Sequence, residues 1–146
     1  MTNAADQAVE MFSQRYNCAQ SVLACCGAKF GLGRDLAVRL AAGLGGGLAR
    51  GDTCGAVSGA ILALGLRFAS LDPQDGAAKA KVYNLARQLQ WRFEQRNKTV
   101  RCNDLLGCDM ATPEGQRQAR EKGLFQSLCP KLVKDAAEIA EEMLTE

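Results

Sequence analysis

The chain has 146 residues, a net charge of +2, seven cysteines and no histidine. That length suits one domain with its own core, and the small charge points away from nucleic acid or a membrane surface as partner. The missing histidine excludes imidazole acid–base catalysis and His-ligated metal sites.

Alanine and leucine are abundant and aromatic residues make up only 5%, which suits helices more than sheets. Asn3, with Asp6 after it, predicts the start of a first helix whose apolar face is Ala8, Val9, Met11 and Phe12. Arg15-Tyr16-Asn17 breaks it. Asn17 followed by Gln20 reads as a capping box with Asn in place of Ser or Thr. It opens a helix from Cys18 to about Phe30, with Gly31 as its C-cap. Asp35 to about Leu44 reads as the third helix. Five glycines between Gly43 and Gly51 then disfavour helix.

Asp52 is the predicted N-cap of a helix over 53–69, and Asp72 before Pro73 predicts the start of the next. That long helix carries the apolar row Ala78, Val82, Leu85, Leu89 and Phe93. Cys102 precedes a short helix over 103–106 closed by Gly107, and Thr112-Pro113 opens a second short one. Cys129 stands before Pro130 at the cap position of the last helix. Its two apolar rows are Leu132, Ala136, Ile139, Met143 and Val133, Ala137, Ala140, Leu144. No strand-like alternation or linker interrupts the chain. The expected fold is all-α: one domain over 1–146, about five main helices and two short ones, around a glycine-rich centre. The amphipathic first and last helices are expected to pack in the core, with a homodimer surface as the other use for them.

Cys18, Cys54, Cys102 and Cys129 each fall at a predicted helix start. The partial positive charge and unpaired N–H groups there favour thiolate, the form that attacks, exchanges and binds metal. Cys18 and Cys25 share a helix and lie about 10 Å apart along it, too far for a disulfide. Cys25 and Cys26 read as small core residues, and Cys108, after a helix-ending glycine, reads as exposed. No Cys-x-x-Cys occurs, which argues against a zinc ribbon or thioredoxin motif. A site assembled by tertiary structure and simple core packing both fit the spacing. Cys54 is the best single candidate: Gly55 and Gly59 remove bulk beside it, and Arg50 adds positive charge. These three residues are expected to line the site.

The segment Cys54-Gly55-Ala56-Val57-Ser58-Gly59 resembles the central motif of a family of redox-active proteins labelled C_GCAxxG_C_C. Tyr16-Asn17-Cys18-Ala19-Gln20-Ser21-Val22 looks like its first cysteine block, and Gly45-Gly46-Gly47-Leu48-Ala49-Arg50 like its glycine-rich approach. Cys102-Asn103-Asp104-Leu105-Leu106-Gly107 and Cys129-Pro130-Lys131-Leu132-Val133 look like the third and fourth blocks. Arg15 departs from the pattern where glycine is expected, and Cys25, Cys26 and Cys108 are extra to it. The resemblance implies a helical redox domain with Cys18, Cys54, Cys102 and Cys129 as the functional set.

Two mechanisms then follow. Pairs of cysteines could cycle between dithiol and disulfide against a redox partner protein or small thiol, Cys54 attacking first. Alternatively, the four thiolates could hold an iron–sulfur cluster for electron transfer, or a structural zinc. The competing reading is a helical interaction or packing module with zinc or with inert reduced cysteines. The glycine loop is not a phosphate cradle, because it lacks the Gly-Lys-Ser/Thr ending. Trp91, Arg92, Phe93, Arg96 and Lys98 read as one helix with a core row and a wet face, not a nucleic-acid surface. The first residues lack the order of a secretory signal. The longest apolar stretch, 56–66, falls short of the roughly 20 residues that span a bilayer. The expected compartment is therefore the cytoplasm, with no membrane partner.

Overall fold

A computed structural model describes residues 3–146, and those residues fold as an all-α bundle. The helices are α1 (Ala4–Ser13), α2 (Cys18–Gly27), α3 (Arg34–Leu40), α4 (Gly55–Phe68), α5 (Gly76–Asn97), α6 (Cys102–Leu106), α7 (Pro113–Glu121), α8 (Leu124–Ser127) and α9 (Cys129–Leu144). Nine helices among the described residues, seven of them with at least seven residues, exceed the predicted five plus two. The difference lies in α7, predicted short but nine residues long, and in α8, a single turn that runs straight into α9.

Several predicted boundaries hold because their caps are local. The Asn17 side chain accepts from the Gln20 N–H at 2.8 Å, and the Gln20 side chain accepts from the Asn17 N–H at 2.8 Å. Thr112 caps α7 with Pro113 at the first position, and Gly107 closes α6 in the left-handed conformation. Others move. Helix α2 stops at Gly27 and passes into a 3-10 turn over Ala28–Phe30. Helix α5 starts at Gly76 under an Asp75 cap, while Asp72 accepts from the Gln74 N–H at 2.9 Å in the exposed turn before it.

The largest shift is at α4. Asp52 does not cap it. Thr53 pairs with Arg101 in an antiparallel bridge; the Cys54 N–H donates to Val100 and the Cys102 N–H to Asp52, each at 2.7 Å. The helix therefore begins at Gly55, with Cys54 as its N-cap residue. The glycine-rich stretch before it is a tight loop in which Leu48 and Ala49 take left-handed backbone angles, φ 59° and 62°. That conformation disfavours a side chain, so the loop must be held from outside. Asn17 holds it: its Nδ2 donates to the Ala42 carbonyl at 3.1 Å.

The core lies where α2 and α4 cross and where α1 and α9 close over them. Phe93, Leu64, Leu89, Ile139 and Met143 are the largest fully buried side chains. Helix α5 is fastened to α9 by a buried carboxylate: Arg96, Asn97 and Lys131 all donate to Asp135, at 3.1, 3.1 and 2.8 Å. Burial pushes the Asp135 carboxyl up, and these donors outweigh it, leaving it below its ordinary value. A smaller cluster, Cys102, Leu106, Cys108, Met110 and Ala119, forms under α6 and α7. Cys108, expected at the surface, is buried there, its thiol facing the Leu106 carbonyl at 3.6 Å.

The α2–α4 crossing explains Gly59. A Cβ at Gly59 would stand 2.7 Å from the Ala19 carbonyl oxygen, whereas one at Gly65 on the same helix would meet nothing within 4 Å. Gly59→Ala is expected to destabilise the protein by roughly 1–3 kcal/mol in denaturant unfolding. Gly65→Ala should be neutral or stabilise by up to about 1 kcal/mol through helix propensity. Equal effects would contradict the close crossing.

Candidate functional site

Cys18, Cys54, Cys102 and Cys129 line one cavity of about 80 Å³ at the end of the bundle where α2, α4, α6 and α9 begin. Each arrives from a different element. Cys18 is the first residue of α2, set by the Asn17–Gln20 box. Cys54 is fixed at the head of α4 by the backbone pairing that also positions Cys102. Cys129 opens α9 at the point where α8 runs into it. Phe12, Leu106, Met110, Phe125 and Leu132 complete an almost wholly apolar wall.

Of the glycines expected beside the site, Gly55 lines the cavity and Gly59 does not. At Gly55 the Cys18 sulfur lies so close that a Cβ would stand 2.5 Å from it. Gly59 instead lets the two helices meet one turn further on. Arg50 is not in the cavity wall: its guanidinium is exposed and pairs with Asp52 at 3.2 Å. Gly46, which the sequence reading passed over, does line the cavity. Its backbone faces the Cys18 sulfur, and a left-handed loop pinned by Asn17 is the signal that could have found it.

Sharing a wall is not the same as bonding. All seven cysteines are free thiols, and no pair lies near disulfide distance. Among the described residues no group of three or more Cys, Asp, Glu or His is placed to hold a metal ion. These findings overturn the expectations of dithiol/disulfide cycling, of an iron–sulfur cluster and of a structural zinc on Cys18, Cys54, Cys102 and Cys129. The physical reason is the wall itself. Phe12, Leu106 and Leu132 share it with the four cysteines, and the contact made between sulfurs is the hydrogen bond from Cys54 to Cys18, with all four left as free thiols.

The electrostatics also differ from the sequence reading. Only Cys18 is shifted toward thiolate, down to about 7. The hydrogen bond from the Cys54 thiol is the main cause; burial opposes it, and the backbone N–H groups of Gly46, Ala19 and Cys18 add to it. Cys54, the sequence favourite, moves the other way: its bond to Cys18 and its burial hold it well above its ordinary value. Burial and the Cys18 charge push Cys102 up to about 11 and Cys129 up to about 12. Burial dominates at Cys26 too, up to about 12, and raises Cys25, whose thiol donates to the Met11 sulfur at 3.7 Å. A helix start therefore activates a sulfur here only where a second donor overcomes desolvation.

Cys18 loses its proton as pH rises through about 7, so alkylation by iodoacetamide at Cys18 should rise over the same range. Cys54→Ala removes the strongest donor, and the midpoint for Cys18 should move up toward an ordinary thiol, by about one pH unit or more. An unmoved midpoint would show that Cys54 does not hold the thiolate.

No curated protein and no solved structure matches the chain. One family model does, over residues 16–143, a span that contains all four cavity cysteines. The chain belongs to the family described as "Putative redox-active protein (C_GCAxxG_C_C)".

Proposed function

We propose that the protein is a helical packing and interaction module whose cysteines are kept as reduced thiols. The observation that supports it is the chemical state of the cavity sulfurs: Cys54 is held by its bond to Cys18 and by burial, Cys102 and Cys129 are desolvated by apolar neighbours, and all three stay protonated at neutral pH. A neutral, buried thiol behaves as a small apolar side chain. It fills space between helix ends that larger residues would force apart. Cys18 is the exception and is treated below.

The interaction half of the reading rests on the surface. Leu36 and Leu40 on α3, and Leu62 and Leu66 on α4, are exposed in pairs one helical turn apart. Exposed leucines at that spacing offer a partner an apolar stripe. No helix among the described residues is long and apolar enough to cross a membrane. A reducing compartment such as the cytoplasm suits seven unpaired thiols.

Thiol titration of the unfolded protein tests the reading. The count should be seven whether or not the native protein is first treated with a mild reductant. A count that rises by two or four on reduction would overturn it. Cys102→Ala and Cys129→Ala should retain the helical fold, each losing about 1 kcal/mol of stability from the small space left behind.

A further inference from the structure

The thiol-lined cavity carries a chemical asymmetry that packing does not use. One sulfur is ringed by donors drawn from separate parts of the chain. The N–H groups of Cys18 and Ala19 come from the head of α2, that of Gly46 from the glycine loop, and the Cys54 thiol from the head of α4. Around this group the wall is apolar, with Phe12, Met110 and Phe125. Cys102, more than nine-tenths buried and with no hydrogen bond at its thiol among the described residues, faces the same space. A nucleophile, one adjacent proton donor and an apolar chamber of about 80 Å³ thus occur together.

We propose that Cys18 is a covalent capture site for small, apolar α,β-unsaturated carbonyl compounds that enter this chamber. The inference goes beyond the packing reading and needs from it only that the thiols are reduced. The chemistry matches what the cavity offers. The Cys18 sulfur forms a bond to the β-carbon. The carbon–carbon π pair moves between the α-carbon and the carbonyl carbon, and the carbonyl π pair moves onto oxygen. The Cys54 thiol then gives its proton to the α-carbon, the carbonyl reforms, and Cys54 takes a proton back from water. Sulfur and hydrogen have added across a double bond, and nothing has been oxidised or reduced. An oxidised-sulfur substrate would need a second sulfur at bonding distance to release it, which no pair supplies. A charged electrophile would have to leave water for an apolar wall. A small neutral enal needs only the nucleophile and the one proton.

The donors have two opposing effects on rate. With Cys18 near 7 and an ordinary thiol at 9.0, the thiolate fraction at pH 7 is about 50-fold larger. Intrinsic nucleophilicity falls about eightfold over that difference, because reactivity scales with thiol basicity with a slope of about 0.4–0.5. The net gain is about sixfold, and the chamber adds selection by size.

The test uses the whole protein at pH 7 with equimolar acrolein, followed by intact-mass and peptide mass spectrometry. A single adduct is expected on Cys18, formed about sixfold faster than on an unstructured cysteine peptide. Cys54→Ala should slow it, and Cys108→Ser should leave it unchanged. Cinnamaldehyde, the same enal with a phenyl ring on its β-carbon, should show no advantage over the peptide. Adducts spread over several cysteines, a Cys18 rate no faster than the peptide, or an equal advantage for cinnamaldehyde would each overturn the proposal. A thiol count on the unfolded protein, taken first, separates this failure from that of the packing reading. Fewer than seven free thiols contradicts the packing reading, whereas seven free thiols with no Cys18 adduct contradicts only the capture site.

Discussion

The crossing of α2 over α4 is the constraint from which the rest of the molecule follows. It is made at Gly55 and Gly59, where α2 comes too close for any side chain to stand between. At Gly59 the Ala19 backbone rests on α4; at Gly55 the Cys18 sulfur does. Gly59, in the helix interior, costs about 1 kcal/mol in propensity. The close approach offsets that cost by burying Ala19, Val22, Ala56, Val57 and Ala60 completely. The same approach delivers the Cys18 sulfur to the head of α4, where the Cys54 thiol can donate to it.

Around that crossing, two polar devices keep the helix starts in place. The Asn17–Gln20 box caps α2 and also reaches outward. Asn17 grips the Ala42 carbonyl and Gln20 the Val38 carbonyl, at 3.1 and 2.9 Å. A single pair of side chains thus sets the helix start and the glycine loop whose Gly46 N–H faces the sulfur. On the other side, the short backbone pairing of residues 52–54 with 100–102 locks Cys54 to Cys102. Asn103 steadies the turn behind it, accepting from the Met110 N–H at 2.7 Å and packing on Gly51, whose φ of 82° suits glycine. The four family cysteines reach one cavity through these contacts.

What the sequence made legible was local. The caps at Asn17, Thr112 and Gly107 are satisfied by residues within a few positions, and they were read correctly. So was the helical class. Asp52 was misread as a cap because its carbonyl is engaged by Cys102, fifty residues on, a pairing that no local pattern announces. The helix-start argument for the cysteines was sound chemistry applied without burial. The N–H groups at a helix head do favour thiolate, but at Cys102 and Cys129 desolvation in an apolar wall is larger, and the thiols stay neutral. Which sulfur would gain the extra donor depended on the α2–α4 crossing. The sequence therefore pointed to Cys54, where the structure selects Cys18.

The central claim is that the fold makes one thiolate and keeps its neighbours neutral. Thiolate absorbance in the ultraviolet, followed through a pH titration of the native protein, measures this directly. The account predicts a step worth one thiolate near pH 7, absent in Cys18→Ser. Two or more thiolates ionising near neutrality, or none, would contradict it.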